Sequence, residues 1–183
     1  MIISYIQLLL YHVYMLTTPH ALAGAAIGSL FPTSVIGSIG AFALAFGSHF
    51  VLDSVPHWER LFATKNHTEL AKKGYNVRDA GVYLQVVLDG MVGLTAIYLA
   101  SKHLGTISWT NPVIWGGIGG ILPDALDNVH PISRRLHSVG IFSSIEKLHK
   151  KFHINYEAQR RLPKYTGLMT QALVIVLSLA ALR

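Results

Sequence analysis

His49, Asp53 and His57 fall at steps of four in the stretch AFGSHFVLDSVPHW, and no Asp, Glu, Lys or Arg precedes Asp53. Residues four apart on a helix share a face one turn apart. His49 and Asp53 could therefore offer an imidazole and a carboxylate to one divalent cation. The alternative is a hydrogen-bonded pair at a helix end with no metal, and the spacing alone leaves both open. An Asp within a membrane span costs about 2.5–3.5 kcal/mol on insertion scales, which argues for a chemical use. Pro56 interrupts the stripe and puts His57 on the loop that follows, as an additional ligand or an outer partner of one.

GGILPDALDNVH holds a second cluster. Pro123 suits the first turn of a helix, which would set Asp124 and Asp127 three apart on one face. Both carboxylates could simply complement a helix N-terminus, but two of them in so apolar a setting fit metal ligation better. His20, in TTPHALAG, precedes the first apolar helix. Asp89, in VVLDGMVG, lies about ten residues into its own helix, as a ligand or as the acceptor behind a ligating His. His137, in LHSVG, titrates near neutrality and is the candidate proton donor. Arg134 and Arg135 could steady an anionic headgroup.

The chain has no cysteine, so disulfides and thiolate metal sites are excluded. Any metal must be held by His, Asp and Glu, which suits zinc, or else manganese. The sequence carries no P-loop, no dinucleotide fingerprint, no G-x-S-x-G and no H-E-x-x-H.

The elements that must position these residues are apolar. Of 183 residues, 51% are hydrophobic and 13% charged, with a mean hydropathy of +0.43. A soluble domain carries about 25% charged residues, so the composition predicts an integral membrane protein built as one domain. Apolar segments at 18–31, 34–52, 80–100 and 167–182, without strand alternation, predict an all-α, multi-span bundle. TISWTNPVIWGGIGGIL (106–122) is interrupted by Pro112 and is expected to be a broken or re-entrant helix. Phe31-Pro32-Thr33-Ser34 reads as a turn with a cap for the next helix. Residues 1–16 are either a further apolar segment or an extension ahead of a start at Met15. Gly24, Gly28, Gly90, Gly93, Gly116, Gly117, Gly119 and Gly120 recur at helical spacing, where small faces let transmembrane helices approach.

The net charge of +6 is concentrated in two loops, 54–79 and 124–166, with only Lys102 between them. By the positive-inside rule both loops face the cytoplasm, which brings His20, Asp53, Asp124 and Asp127 to one membrane face. The basic residues follow topology and lipid contact rather than a nucleic-acid groove, so the expected partners are membrane lipids and not nucleic acid. Within the second loop, KLHKKFH is basic and amphipathic, as in helices that lie on a membrane surface; its His149 and His153, four apart, could alternatively bind phosphate or metal.

Thr18-Pro19-His20 with Gly24, then His49-x-x-x-Asp53, then Leu122-Pro123-Asp124-x-x-Asp127, are similar in order to the motifs of the predicted membrane-bound metal-dependent hydrolases. These are small bacterial inner-membrane proteins, one of them under LexA control. The resemblance spans roughly residues 17–140. It implies a multi-span helical protein with a divalent-metal site whose ligands would be His20, His49, Asp53, Asp124 and Asp127. H-x-x-x-D also resembles an element of the zinc-dependent phospholipase C proteins, which hints at a phosphoester or lipid substrate. The family's H-R-G-x-x-H-S-like element is matched here only by His137-Ser138, in HPISRRLHSVG. The function expected is hydrolysis at the cytoplasmic face of a bacterial inner membrane; the alternative is a non-catalytic metal-binding protein or small transporter.

Overall fold

Helix ends in this chain are written in local chemistry. Ser34 is extended and its hydroxyl accepts from the Gly37 amide at 3.0 Å, capping the helix that follows the Phe31–Ser34 turn. Asn111 does the same for a second helix, its side chain accepting from the Val113 amide at 2.9 Å. Both satisfy an amide that the first turn leaves without a partner.

The computed structural model describes residues 17–57, 80–105, 107–128, 139–152 and 164–183. The N-terminal stretch 1–16 and segments 58–79, 129–138 and 153–163, which hold much of both basic loops, lie outside the described residues. Among the described residues there are six helices and no strand: α1 (Thr17–Gly28), α2 (Val35–Asp53), α3 (Ala80–Leu104), α4 (Pro112–Asn128), α5 (Gly140–Phe152) and α6 (Lys164–Ala181). The all-α expectation holds. The 19 residues of α2 are long and apolar enough to cross a membrane, reaching about 28 Å at about 1.5 Å per residue.

The region 106–122 departs from expectation. Pro112 does not break a helix; it is the first residue of α4, where its missing N–H costs nothing and its fixed φ suits the turn. Pro123 is in turn interior to α4, not in a first turn. It has no amide to give the Gly119 carbonyl. The helix runs on to Asn128, so Asp124 and Asp127 occupy its final turns rather than the start of a loop.

α4 packs most extensively on α1 and α2, and small residues make this possible. A Cβ on Gly24 would overlap the Gly116 carbonyl, one on Gly28 the Pro112 carbonyl, and one on Gly120 the His20 carbonyl. The pairs 28/112, 24/116 and 20/120 step by four in opposite directions, so α1 and α4 run antiparallel with backbones in contact. Gly119 meets the backbone of Phe42 on α2, and Gly117 the side chain of Ile97 on α3. Of the two α3 glycines, Gly93 approaches Ala21 and Thr18, whereas Gly90 faces open space. A core of Leu22, Ala25, Ala26, Ala100, Val113 and Leu182 ties α1, α3, α4 and the end of α6 together. The outward faces of α2, α3 and α6 carry exposed apolar side chains, among them Ile36, Leu44, Val51, Met91, Leu99, Leu173 and Val176.

Candidate metal centre

The antiparallel α1/α4 contact sets His20 opposite Gly120, and the parallel run of α2 beside α4 brings His49 to the same level. Asp53 closes the last turn of α2, and Asp124 stands near the end of α4. Four side chains from three helices meet here. Asp53 lies between two imidazoles: its Oδ1 is 3.2 Å from His20 Nε2 and its Oδ2 is 3.0 Å from His49 Nε2. Asp124 Oδ1 is 3.6 Å from His49 Nε2. The two rings face each other, centroids 4.1 Å apart and tilted by 33°. His20, His49 and Asp53 are buried, while the Asp124 side chain is 25% exposed and forms the open edge.

The orientation of His49 carries most of the chemistry. Its Nδ1 is 2.7 Å from the Gly120 carbonyl, and a carbonyl can only accept, so Nδ1 carries a proton. In a neutral imidazole the other nitrogen is then a lone pair. That nitrogen, Nε2, faces two carboxylates. Three acceptors directed at one another in a buried site need a cation between them: a proton, held by the ring or by a carboxyl group, or a metal ion. A ring N–H given to a backbone carbonyl is also the usual outer contact of a metal-bound His, fixing its tautomer and direction.

Donor spacing fits a cation. Four-coordinate zinc with bonds of about 2.1 Å needs ligand atoms about 3.4 Å apart. The His49 Nε2–Asp124 Oδ1 separation of 3.6 Å is close to that value, and ligand atoms of His20, His49 and Asp124 all lie within 4.8 Å of one another. His20 Nδ1 is buried without a hydrogen-bond partner among the described residues. A His20–His49–Asp124 group could thus hold a metal ion, with Asp53 in contact with both rings.

Helix polarity sharpens the point. The C-terminus of a helix carries partial negative charge, so a carboxylate there is disfavoured by about 0.3–1 kcal/mol. Asp53 and Asp124 both sit at C-terminal ends. The alternative in which the α4 carboxylates complement a helix N-terminus is therefore excluded: they lie toward the C-terminal end of α4, and what offsets them lies in the cluster.

The remaining expected residues divide. Asp127 lies on α4 one turn beyond Asp124, and its side chain is outside the described residues. His57 follows α2, is buried, and donates from Nδ1 to the Val55 carbonyl at 2.7 Å. Asp89 is buried on α3 and accepts from the Thr18 hydroxyl at 2.6 Å and the Thr18 amide at 3.4 Å. It thereby caps, from another helix, the N-terminus of α1 two residues before His20. His137, Arg134 and Arg135 lie outside the described residues. Two contributors belong to patterns seen in the sequence without being marked there as site residues. The Gly120 carbonyl orients His49, and only its four-residue step from Gly116 marks the position. Thr18, the partner of Asp89, shows its role only once α1 and α3 are side by side.

Comparison of the chain with family models, with curated proteins and with solved structures finds no match.

Proposed function

We propose that this chain is a multi-span, metal-dependent hydrolase of the bacterial cytoplasmic membrane, acting at its inner face on a phosphoester or lipid-like substrate. The observation that carries the reading is His49: its Nδ1–H is fixed on the Gly120 carbonyl, and its other ring nitrogen is directed at Asp53 and Asp124. The resemblance of the ordered T-P-H, H-x-x-x-D and P-D-x-x-D motifs to membrane-bound metal-dependent hydrolases supports the same reading. Membrane placement is supported by α2 and by the apolar side chains that α3 and α6 turn outward.

A zinc ion held in this site would act as a Lewis acid and bring the pKa of a bound water toward about 7. The residues do the rest. His20 and His49 supply neutral nitrogen, and Asp53 and Asp124 balance the charge. Gly120 keeps the His49 ring from turning. The partial exposure of Asp124 gives substrate and water their approach from one side. His137 is the proposed proton donor, and Arg134 with Arg135 the proposed clamp for an anionic group. Asp89 engages Thr18 at the same end of the bundle as the cluster, which favours a metal site over an ion path toward the opposite face.

Purified protein in lipid, loaded with zinc or manganese, should hydrolyse at least one member of a panel of phosphodiesters, phosphomonoesters and phospholipids. Asp124→Asn should abolish that turnover. Metal-loaded protein inactive on the whole panel, or activity equal in Asp124→Asn, would remove the hydrolase reading.

A further inference from the structure

α5 has an amphipathic pattern that the bundle does not use up. Ile141, Ile145, Leu148 and Phe152 recur at steps of four, three and four, the period of a single apolar stripe on a helix. An amphipathic helix in a folded protein normally buries that stripe. Here Ile141 is 67% exposed, Leu148 40% and Phe152 41%, while Lys147 and Lys151 are exposed along one flank of the stripe, about 90–130° round the helix from its centre. The helix is nevertheless fixed in place at one end. The Phe152 ring meets Phe50 at 6.2 Å between centroids, and Phe50 meets His49 at 5.7 Å. The exposed stripe therefore lies at the end of α2 that holds the His/Asp cluster.

We propose that α5 is an interfacial helix that lays the Ile141–Leu148–Phe152 stripe into the anionic leaflet at the cluster's end of the bundle, with Lys147 and Lys151 on lipid phosphates. A strong apolar face flanked by lysines is the composition that seats a helix in the headgroup region, through apolar burial together with attraction to anionic lipid. Lysine stems extend along the apolar boundary and keep their ammonium groups in the phosphate layer. The Phe152–Phe50–His49 contact then couples lipid seating to the position of the His49 ring, and headgroups lie beside the open, Asp124 edge. This inference rests on the membrane placement proposed above but not on the metal or on hydrolysis.

Because the chain has no cysteine, single cysteines carrying nitroxide labels can be placed at Ile141, Ser143 and Leu148 of the full-length protein in phosphatidylcholine bilayers with added phosphatidylglycerol. Collision with lipid-dissolved oxygen and with a water-soluble nickel complex is then compared at each label. Labels at 141 and 148 are expected to favour oxygen several-fold over the label at 143, and Lys147→Gln with Lys151→Gln should shrink that contrast. A label at Leu44, on the outward face of α2, serves as the control for the span. If Leu44 favours oxygen while nickel reaches 148 as readily as 143, the α5 proposal fails alone. Exclusion of both reagents from 141 and 148 means that protein covers the stripe, which also overturns it. Nickel access at Leu44 overturns the membrane placement as well.

Discussion

The two ends of the bundle follow opposite rules. At the end away from the cluster, Ser34 and Asn111 cap α2 and α4, Pro112 occupies the position that tolerates it best, and Lys102 and His103 close α3 where the helix is negative. Trp115 donates its indole N–H to the Trp109 carbonyl at 2.6 Å. Each feature satisfies a helix end by ordinary means. At the cluster's end, α2 finishes on Asp53 and α4 carries Asp124 and Asp127 in its final turns, against their dipoles, and two histidine rings face each other with centroids 4.1 Å apart. Local rules hold at one end and are broken together at the other, within one set of helices. A sequence that pays for such a concentration of unfavourable features usually does so at a functional site.

The comparison can be broken at its hinge first. Gly116→Leu would drive a side chain into Gly24 and Gly28, where only backbone can yield. The expected loss is about 3 kcal/mol or more, read as a fall in melting temperature together with loss of metal. A variant that melts like the wild type would mean that the α1/α4 approach is looser than described. Next is Asp53→Asn, which keeps the shape but removes the charge touching both imidazoles. Metal affinity should fall at least 100-fold, beyond the about 10–100-fold typical of outer-shell partners, as measured by competition with a chelating dye.

At the opposite end, Asn111→Ala should cost about 1 kcal/mol of stability through the lost cap and leave metal stoichiometry untouched. Loss of metal in that variant would show that the two ends are not independent. The smallest effect is expected from Lys102→Gln, about 0.3 kcal/mol of helix-end electrostatics and detectable as a slight shift in melting. A large effect there would give Lys102 a partner that the helix dipole does not explain.

Much of this arrangement was legible before the structure. The i, i+4 step of His49 and Asp53, the Ser34 cap and the convergence of His20, Asp53 and Asp124 on one face followed from periodicity and charge distribution. The ends of α4 did not. Two prolines eleven residues apart suggested a break at the first and a start at the second, whereas the first opens the helix and the second is carried inside it. Proline chemistry alone allows either arrangement, and the glycine contacts with α1 and α2 that hold the continuous helix are tertiary. The role of the Gly120 carbonyl was invisible for the same reason, because a backbone acceptor has no letter in the sequence. Asp89 read as a deep carboxylate in search of a histidine, and its partner proved to be the threonine at the start of the next helix over.

The most direct measurement is the zinc and manganese content of purified protein after equilibrium dialysis, for the wild type and for a variant combining His49→Ala and Asp124→Ala. The account predicts stoichiometric metal in the wild type and none retained by the variant with its helix content preserved. A wild type that binds neither ion would contradict it and leave a ring proton on His49 as the charge between the carboxylates.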